Sequence, residues 1–316
     1  MINRNFAFST LQLSTAHSSE PEECGGMLPG FKRQLLPLAR DYRFFQAELQ
    51  LGHLRLVIVK RPPCASEGYL AQRQIGIALT MDTSPGLKLD GVSFDHPALM
   101  THGLATPHRI YQPCELTIGA IVIPEEDCDG RGWPDRIQVA RIDRVQPAAL
   151  QHLRSIIWNV VGQVSNDPLR SSHEKMVSGM QHSLLGAIDH AFVTASGERT
   201  TSPALGKYVR ICRLADEFVR SNAKSSQNSA DVAAAAGVTI RTLHNAMVAV
   251  NGMSLQRFTL LNRLWATRAA LVRAGPEDLV KTIALDHGFW HFGRFSQTYR
   301  AFFGESPSGT LERRAS

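Results

Sequence analysis

The sequence lacks the features that would place this chain in a membrane, outside the cell or around a structural metal. Its five cysteines are an odd number, widely spaced and without a Cys-x-x-Cys pair, so neither a disulfide framework nor a zinc site is expected. The N-terminus carries no apolar leader, and no run approaches the roughly 18 apolar residues of a membrane span. These absences predict a soluble, cytoplasmic protein with no membrane partner.

Recognisable catalytic arrangements are missing as well. A metal-dependent β barrel would need a closely spaced His-x-His with a Glu a few residues later, and the histidines of the N-terminal half stand apart: His53, His96, His102 and His108. Segment 127–132 resembles the start of a calcium loop but lacks the later Glu ligand, so it is interpreted as a polar turn. We expect no catalytic residue, no metal and no cofactor.

The positive charge of the chain is concentrated in its C-terminal part. The whole chain has a formal net charge of +6. Residues 204–316 hold 15 Lys/Arg against 8 Asp/Glu, whereas the remainder holds 19 against 20. A surface that binds phosphates requires such an excess, although solvated helix surfaces could also account for the charge alone.

Two stretches of this basic part share one spacing pattern. In each, an apolar residue precedes an Ala, and a Gly follows four positions after that Ala. An apolar residue comes next, and a large apolar residue stands in the following helix. The pattern comprises Val232-Ala233, Gly237-Val238 and Leu243 in the first stretch, and Ile283-Ala284, Gly288-Phe289 and Phe295 in the second.

The pattern suits a helix-turn-helix unit for two physical reasons. The small Ala lets the second helix cross closely over the first, and Gly permits a turn backbone that most residues resist. Because the pattern occurs twice, 51 residues apart, we interpret the two copies as two helix-turn-helix units rather than as chance matches. The second copy has one extra residue, with seven steps from Gly288 to Phe295 against six from Gly237 to Leu243.

Segment 288–307, with its Gly-Phe-Trp-His opening and the later Pro307-Ser-x-x-Leu311, carries a family resemblance. Over about residues 205–313 the chain resembles the AraC/XylS family of bacterial transcription regulators. The motifs of this segment are most similar to those of the XylS-type and ethanolamine-regulator branches. The resemblance implies two helix-turn-helix units joined by one long helix. It also implies a preceding domain that binds an effector or dimerises.

The N-terminal part reads as a β domain followed by two helices. Residues 14–30 look like a loose entry segment, and short apolar runs separated by turn residues occupy about 42–142, with strand candidates near 47–58, 75–80, 87–92, 115–123 and 137–142. Periodicity leaves an antiparallel sandwich or barrel open, and the resemblance implies a cupin-like barrel. Helices are predicted over 147–163 and 172–195.

The first of these helices carries an apolar stripe formed by Leu150, Leu153, Ile156/Ile157 and Val160/Val161. Packing against the β domain is the favoured interpretation, and a dimer interface is the alternative. The predicted class is thus an α+β multidomain protein: residues 1–195 form an effector-binding or dimerisation domain, 196–204 a linker, and 205–316 an all-α DNA-binding domain.

Seven helices are predicted in the C-terminal domain, with helix-turn-helix units at about 229–250 and 279–303. Ser229, Thr239 and Ser254 are candidate N-caps. A long helix over 255–273 would span about 28 Å at about 1.5 Å per residue, and this length is compatible with the roughly 34 Å between successive major grooves. Its predicted buried stripe comprises Leu255, Phe258, Leu261, Trp265, Ala269 and Val272.

Candidate DNA contacts follow from helical geometry and from the resemblance. If Leu243, Ala246 and Met247 point inward, the outward residues of the first recognition helix are Arg241, Thr242, His244 and Asn245. The family's base-reading positions fall on Arg241, His244 and Asn245, and Arg can grip guanine and Asn adenine in bidentate fashion. Contact with phosphate alone is the alternative for each.

In the second unit, inward Phe295 and Tyr299 would leave His291, Phe292, Gly293, Arg294, Gln297 and Thr298 near the groove. We take His291, Arg294 and Gln297 as the candidates for DNA contact there, with Arg294 and Gln297 foremost. Gly293 removes a side chain that could have read a base, which weakens specific reading by this helix. Phosphate contacts are expected from Arg257, Arg268 and Arg300 and from helix N-termini.

The sequence therefore predicts a transcription regulator, an activator that responds to a small molecule. Its expected partners are double-stranded promoter DNA, RNA polymerase, an unidentified effector and a second copy of itself. Two alternatives remain at this point. One is a cupin-type enzyme fused to a DNA-binding tail, and the other is a repair regulator that transfers an alkyl group to a cysteine.

Overall fold

A computed structural model describes residues 6–7, 11–18, 31–70, 74–82, 86–94, 97–102, 107–128, 130–133, 141–167, 174–195, 203–222 and 228–313. The chain divides into two compact units, one of residues 1–35 and 42–202 and one of residues 36–41 and 203–316. The first is built mainly of strands and the second of helices. Of the four histidines named above for the N-terminal half, His96 lies outside the described residues.

Antiparallel strands form the N-terminal unit. They are β1 (Phe6–Ala7), β2 (Leu11–Ser18), β3 (Phe31–Pro37), β4 (Phe44–Leu51), β5 (Leu54–Arg61), β6 (Cys64–Leu70), β7 (Gln74–Thr80), β8 (Leu87–Leu89), β9 (Val92–Phe94), β10 (Ala98–His102), β11 (His108–Gln112), β12 (Leu116–Pro124) and β13 (Arg141–Arg144). One sheet has the order β1-β2-β4-β5-β12-β7-β10-β13, and the other has the order β3-β6-β11-β8-β9. A short 3-10 helix, Glu125–Cys128, follows β12.

The structure confirms several predicted strands and corrects others. The alternating run that ends at Leu51 is β4, and the runs near 75–80 and 115–123 are β7 and β12. The entry segment is not loose throughout, because β2 pairs along its length with β4. The single strand expected over 87–92 is a hairpin of β8 and β9, turned by Asp90 and Gly91 with φ of 49° and 84°. Residues 137–140 lie outside the described part.

Helices α1 (Pro147–Asn166) and α2 (Glu174–Val193) pack against one face of the larger sheet. The stripe of α1 is buried there, with Leu150, Leu153 and Ile157 in one cluster with Leu56 of β5 and Ile121 of β12. This confirms that the stripe packs on the chain's own β domain. The two helices end close to the predicted positions, and residues 196–202 of the predicted linker lie outside the described residues.

Asp189 fastens α2 to the loop after β12. Its carboxylate accepts hydrogen bonds from Arg131 Nη1 at 2.8 Å and from Trp133 Nε1 at 2.9 Å. Trp133 is 2% exposed and packs against the ring of Phe192. The segment interpreted as a polar turn therefore positions the helix layer, because the loop supplies both donors.

The helical unit contains seven helices among its described residues, as predicted. They are α3 (Pro203–Ser221), α4 (Ser229–Ala235), α5 (Ile240–Asn251), α6 (Leu255–Arg273), α7 (Val280–Asp286), α8 (Phe292–Phe303) and α9 (Pro307–Arg313). Segment 36–41 belongs to this unit, and Trp265 Nε1 of α6 donates a hydrogen bond to the carbonyl of Pro37 at 3.1 Å. Trp265 also packs edge-on against Phe303 of α8.

The buried stripe of α6 differs from the prediction in its second half. Leu255, Phe258 and Leu261 are buried as expected. Beyond them the buried residues are Leu264, Thr267 and Leu271, whereas Val272 is 38% exposed. Leu264 and Leu271 are buried in place of Trp265 and Val272 because they belong to the second cluster, together with Phe295 and Tyr299. Trp265 and Ala269 are half-buried at its margin.

Two glycines of the helical unit give a matched test of backbone conformation. Gly237 has φ of +65° and Gly293 lies within α8, and an added Cβ meets no heavy atom within 4 Å at either position. We expect Gly237→Ala to lower the free energy of unfolding by about 1–2 kcal/mol, because L residues resist the left-handed region. Gly293→Ala should raise it by about 0.8–1 kcal/mol, since Ala favours helix.

The measurement is urea unfolding of the full chain followed by circular dichroism. Gly237→Asn serves as the control, because Asn tolerates the left-handed region better than Ala and should lose less stability. Equal effects of Ala at the two glycines would contradict the account of the turn.

Candidate nucleic-acid interface

The first helix-turn-helix unit consists of α4, a short turn and α5. Asn228 caps α4, because its Oδ1 accepts hydrogen bonds from the N–H groups of Ala230 at 2.8 Å and Asp231 at 2.9 Å. The Asp231 carboxylate accepts in return from the backbone N–H of Asn228 and completes a capping box. The predicted N-cap at Ser229 is therefore wrong by one residue. Asn228 is the N-cap because Asp231, three residues later, completes the reciprocal pair of hydrogen bonds.

The turn of this unit depends on Gly237. The Gly237 N–H donates to the carbonyl of Ala234 at 3.0 Å, and the Val238 N–H donates to Ala233 at 2.9 Å. These bonds close the end of α4, and they require the positive φ of Gly237. Thr239 then caps α5, as predicted, by accepting from the N–H of Thr242 at 3.1 Å.

The second unit, α7 and α8, repeats this turn. The Gly288 N–H donates to Leu285 at 2.9 Å, the Phe289 N–H donates to Ala284 at 2.9 Å, and Gly288 has φ of +77°. Gly237 and Gly288 therefore share the positive φ on which their predicted structural-turn role depends. The extra residue of the second copy lies in the turn, because α8 begins four residues after Gly288 whereas α5 begins three after Gly237.

The recognition helix of the first unit, α5, has one buried and one exposed face. Leu243, Ala246 and Met247 are at most 1% exposed. Arg241, His244 and Asn245 are exposed. Because they are spaced three and four residues apart, these three side chains share one face and can approach one groove together.

Thr242 is less available than its neighbours. It is half-buried, and its Oγ1 lies 2.9 Å from Oγ1 of Thr239 at the start of the helix. The side chain therefore takes part in the cap, and contact between this threonine and DNA stays a prediction.

The recognition helix of the second unit, α8, buries Phe295 and Tyr299 and exposes His291, Arg294 and Gln297. His291 precedes the helix at the N-cap position and makes no side-chain cap. Phe292, expected near the groove, is half-buried in the second cluster, with Lys281 Nζ 5.5 Å from its ring centroid. Thr298 donates its hydroxyl to the Arg294 carbonyl at 2.8 Å.

Tyr299 anchors α8 to the last helix. Its hydroxyl lies 2.9 Å from Thr310 Oγ1 of α9, and its ring packs against Phe295 and Phe303. Burial raises the pKa of Tyr299 above its ordinary value, so the phenol remains a neutral hydrogen-bonding group. The face of α8 that carries Arg294 and Gln297 is thereby held in a fixed orientation.

The three arginines predicted to bind phosphate differ in their surroundings. Arg257, in the first turn of α6, and Arg300, in α8, are exposed. The Arg268 guanidinium instead forms an ion pair with Glu305 and lies 4.7 Å from the centroid of Phe303. Since Glu305 already neutralises it, we leave Arg268 out of the proposed phosphate-binding set.

Sequence reasoning did not single out two exposed apolar residues beside the recognition helices. Ile240, the first residue of α5, is 53% exposed, and Trp290, in the turn before α8, is 55% exposed. The sequence shows that both residues stand near the N-termini of the recognition helices. It does not show that they are exposed, because the nearby Val238 and Phe289, which belong to the repeated core pattern, are apolar as well. Apolar groups at such positions can touch thymine methyls.

Comparison with known proteins agrees with this geometry. Residues 232–313 match the model of a helix-turn-helix domain. A XylDLEGF operon transcriptional activator of Pseudomonas putida is 29% identical over 168 residues, which are 52% of this chain and 49% of that protein. Another activator of this operon from the same organism is 35% identical over 101 residues, which are 31% of this chain and 30% of that protein.

The family-model match lies within the helical unit. The chain spans about half the length of the curated relatives it matches. A solved transcriptional regulator with an AraC-type DNA-binding domain from Chromobacterium violaceum is 25% identical, with a TM-score of 0.31, over 35% of this chain and 96% of that one.

Two further observations bear on the sequence predictions. Among the helices that the structure describes, none is at once long and apolar enough to cross a membrane. The described residues also contain no group of three or more His, Cys, Asp or Glu side chains arranged to hold a metal ion. His53 pairs with Asp127 at 3.0 Å.

The two recognition helices should contribute differently to binding of an operator. Arg241→Ala is expected to weaken binding by about 1–3 kcal/mol and to relax the preference at one or two adjacent base pairs, because a bidentate base contact is lost. Arg294→Ala should weaken binding more evenly across sequences, since phosphate contacts carry no sequence information.

Competition assays would measure both effects on operators selected from a random pool and then randomised separately in each half-site. A sharp base preference in the half-site read by α8, lost in Arg294→Ala and kept in Arg241→Ala, would reverse this division of roles.

Proposed function

We propose that this protein is a sequence-specific DNA-binding transcription regulator that activates promoters in response to a small molecule. The observation that carries the proposal is the repeated turn, in which Gly237 and Gly288 have positive φ and the same two backbone hydrogen bonds. Each turn is followed by a helix that exposes polar side chains. Similarity to the XylDLEGF operon activators supports activation rather than repression.

Promoter DNA is the proposed main partner. Arg241, His244 and Asn245 would enter one major groove from α5, and His291, Arg294 and Gln297 would enter the next from α8. The 19 residues of α6 correspond to about 28 Å, which suits two successive grooves once the recognition helices extend beyond its ends. Arg257 and Arg300 would bind phosphates on either side.

The N-terminal unit is proposed to be a cupin-like barrel that binds the effector or dimerises. Two antiparallel sheets, one with its outer face covered by α1 and α2, support this architecture. The proposed division keeps 1–195 as this domain, 196–204 as the linker and 205–316 as the DNA-binding domain. Because the stripe of α1 is buried in its own domain, a homodimer would need another surface, such as the one around Trp158, which is 49% exposed.

RNA polymerase is the second proposed macromolecular partner, as an activator must reach it from the promoter. Leu260 and Leu279 are apolar side chains exposed on the helical unit by 37% and 64%. Large exposed apolar residues are compatible with a protein contact of this kind.

The salt dependence of DNA binding tests the electrostatic part of the proposal. Affinity for a selected operator should fall by about 10³–10⁵ between about 50 and 200 mM salt if six to ten phosphates are contacted. Arg257→Ala should reduce the slope of log affinity against log salt by about one. Binding that is indifferent to salt over this range would refute a phosphate-tracking surface.

The autonomy of the helical unit gives a second test. We expect a fragment of residues 203–316 to fold and to bind the selected operator, because both turns and their caps lie within it. The fragment lacks segment 36–41, so the half-buried Trp265 would lose its hydrogen bond to Pro37 and donate to water instead. Circular dichroism and gel-shift titration would follow both properties. A helical fragment without DNA affinity would mean that the N-terminal unit supplies part of the binding surface.

A further inference from the structure

The second helix-turn-helix unit has one residue more than the first between its turn glycine and its recognition helix. In the first unit the Leu243 N–H donates to the carbonyl of the N-cap residue Thr239 at 2.9 Å. In the second unit the Phe295 N–H donates to the carbonyl of the N-cap residue His291, also at 2.9 Å. Counted back from these bonds, the two units match as far as their N-caps. The additional residue therefore lies in the turn before His291.

The additional residue is Trp290. Val238 and Phe289 each follow the turn glycine directly, and each donates its N–H to the Ala of the preceding helix at 2.9 Å. Phe289 is thus the counterpart of Val238, and Trp290 has no counterpart in the first unit. The apolar residue directly before an N-cap often packs on the fourth residue of the helix. Here the earlier Phe289 makes that contact, because its ring centroid lies 4.6 Å from that of Phe295.

Trp290 takes no part in the core of its own unit. The aromatic rings that pack in or against the second cluster belong to Phe289, Phe292, Phe295, Tyr299, Phe302 and Phe303. Trp290 is 55% exposed. Among the residues that the structure describes, its side chain has neither a hydrogen bond nor a ring contact. The insertion therefore presents a large apolar ring to the outside at the N-terminal end of a recognition helix.

The first turn of α8 leaves room for another molecule to reach this ring. Phe292 is turned into the second cluster, and Gly293 is exposed. A Cβ added at Gly293 would meet no heavy atom within 4 Å, so the glycine is not required by packing within the protein. The residues at the N-terminal end of a recognition helix are those that contact base edges. Trp290 stands at that end of α8.

Exposed cations accompany the ring. Arg294 and Arg300 are exposed on α8, and Lys281 Nζ lies 5.5 Å from the ring centroid of Phe292 at the start of that helix. Phosphates line both sides of the major groove, and the apolar group inside the groove is the C5 methyl of thymine. An apolar ring beside several cations matches this combination of charge and hydrocarbon.

We propose that Trp290 is a specificity-determining residue, and that its ring contacts the C5 methyl group of thymine in the major groove that α8 enters. This inference rests on the DNA-binding function proposed above. Gly293 removes a side chain that could have formed hydrogen bonds to a base, and Trp290 supplies an apolar contact to a base instead. The second unit then recognises sequence through hydrocarbon, while Arg294 binds phosphate.

Replacement of thymine by uracil tests the contact, because it removes the methyl group and keeps the base pair. The full-length protein is titrated with an operator selected from a random pool, in which each thymine is replaced in turn. At one or two positions uracil should weaken binding about fourfold, as expected when one methyl group is lost from an apolar contact. A scrambled duplex is titrated alongside.

Substitutions of Trp290 assign this effect to the ring. Trp290→Ala should weaken binding of the unmodified operator at least about fourfold, and uracil at the contacted position should weaken it no further. Trp290→Leu keeps an apolar side chain and should retain part of the response to uracil. Trp290→Gln should lose the response. All three variants should melt at the temperature of the unchanged chain, because the ring is exposed.

Val272→Ala is the matched control. It removes another exposed apolar side chain from the helical unit, 38% exposed near the end of α6. This variant should keep the full response to uracil at every position.

Two results would overturn the proposal while leaving the DNA-binding function intact. Additive effects of Trp290→Ala and uracil at every thymine would mean that the ring contacts the DNA backbone. Unchanged operator binding by Trp290→Ala would mean that the ring serves a protein partner. A different result, no preference of the unchanged chain for any selected operator over the scrambled duplex, would refute the DNA-binding function itself and this inference with it.

Discussion

One backbone constraint, a single residue in the left-handed region, organises the whole of the proposed DNA-binding surface. In both units it lets the N–H of the following apolar residue return to the Ala of the first helix, at 2.9 Å in each case. That closure sets the direction in which the next helix leaves. Burial of Leu243 in α5 and Phe295 in α8 then fixes the rotation of each helix about its axis. The turn and the buried residue together therefore determine which polar face is exposed. Without positive φ at Gly237 and Gly288, neither face would take the orientation on which the proposed DNA binding depends.

The β unit depends on a different division, between the two faces of one sheet. The face toward α1 and α2 is uniformly apolar and forms a continuous core with those helices. The opposite face mixes aliphatic residues with buried charges such as Arg55 and Arg61. Charges of this kind contribute little to stability compared with well-packed apolar residues, because desolvation offsets much of the pairing energy. Their placement on only one face of β5 leaves the other face free to pack against α1 and α2.

Features that depend on residues close together in the sequence could be predicted, and features that depend on residues far apart in the sequence could not. The caps at Thr239 and Ser254 depend on neighbours within a few residues, and they were predicted at the correct positions. Strand β11 was missed because its polar residues look exposed in isolation, and only partners more than forty residues away, such as Arg61 for Gln112, make them part of the interior. The shifted stripe of α6 has the same origin, since packing with α8 selects Leu264 over its neighbour.

The charge available for DNA is also determined by contacts that composition does not reveal. Glu305 neutralises both Arg268 and Arg313, and Asp216 pairs with Arg220 along α3. These pairs withdraw three arginines and two acids from any phosphate surface, so the excess of positive charge over residues 204–316 falls only from seven to six. The same Glu305 accepts a hydrogen bond from Thr310, which lies against Tyr299. Arg268, which pairs with Glu305, thus helps to hold α8 and α9 in place, and this rigidity would align the remaining exposed cations with the proposed groove.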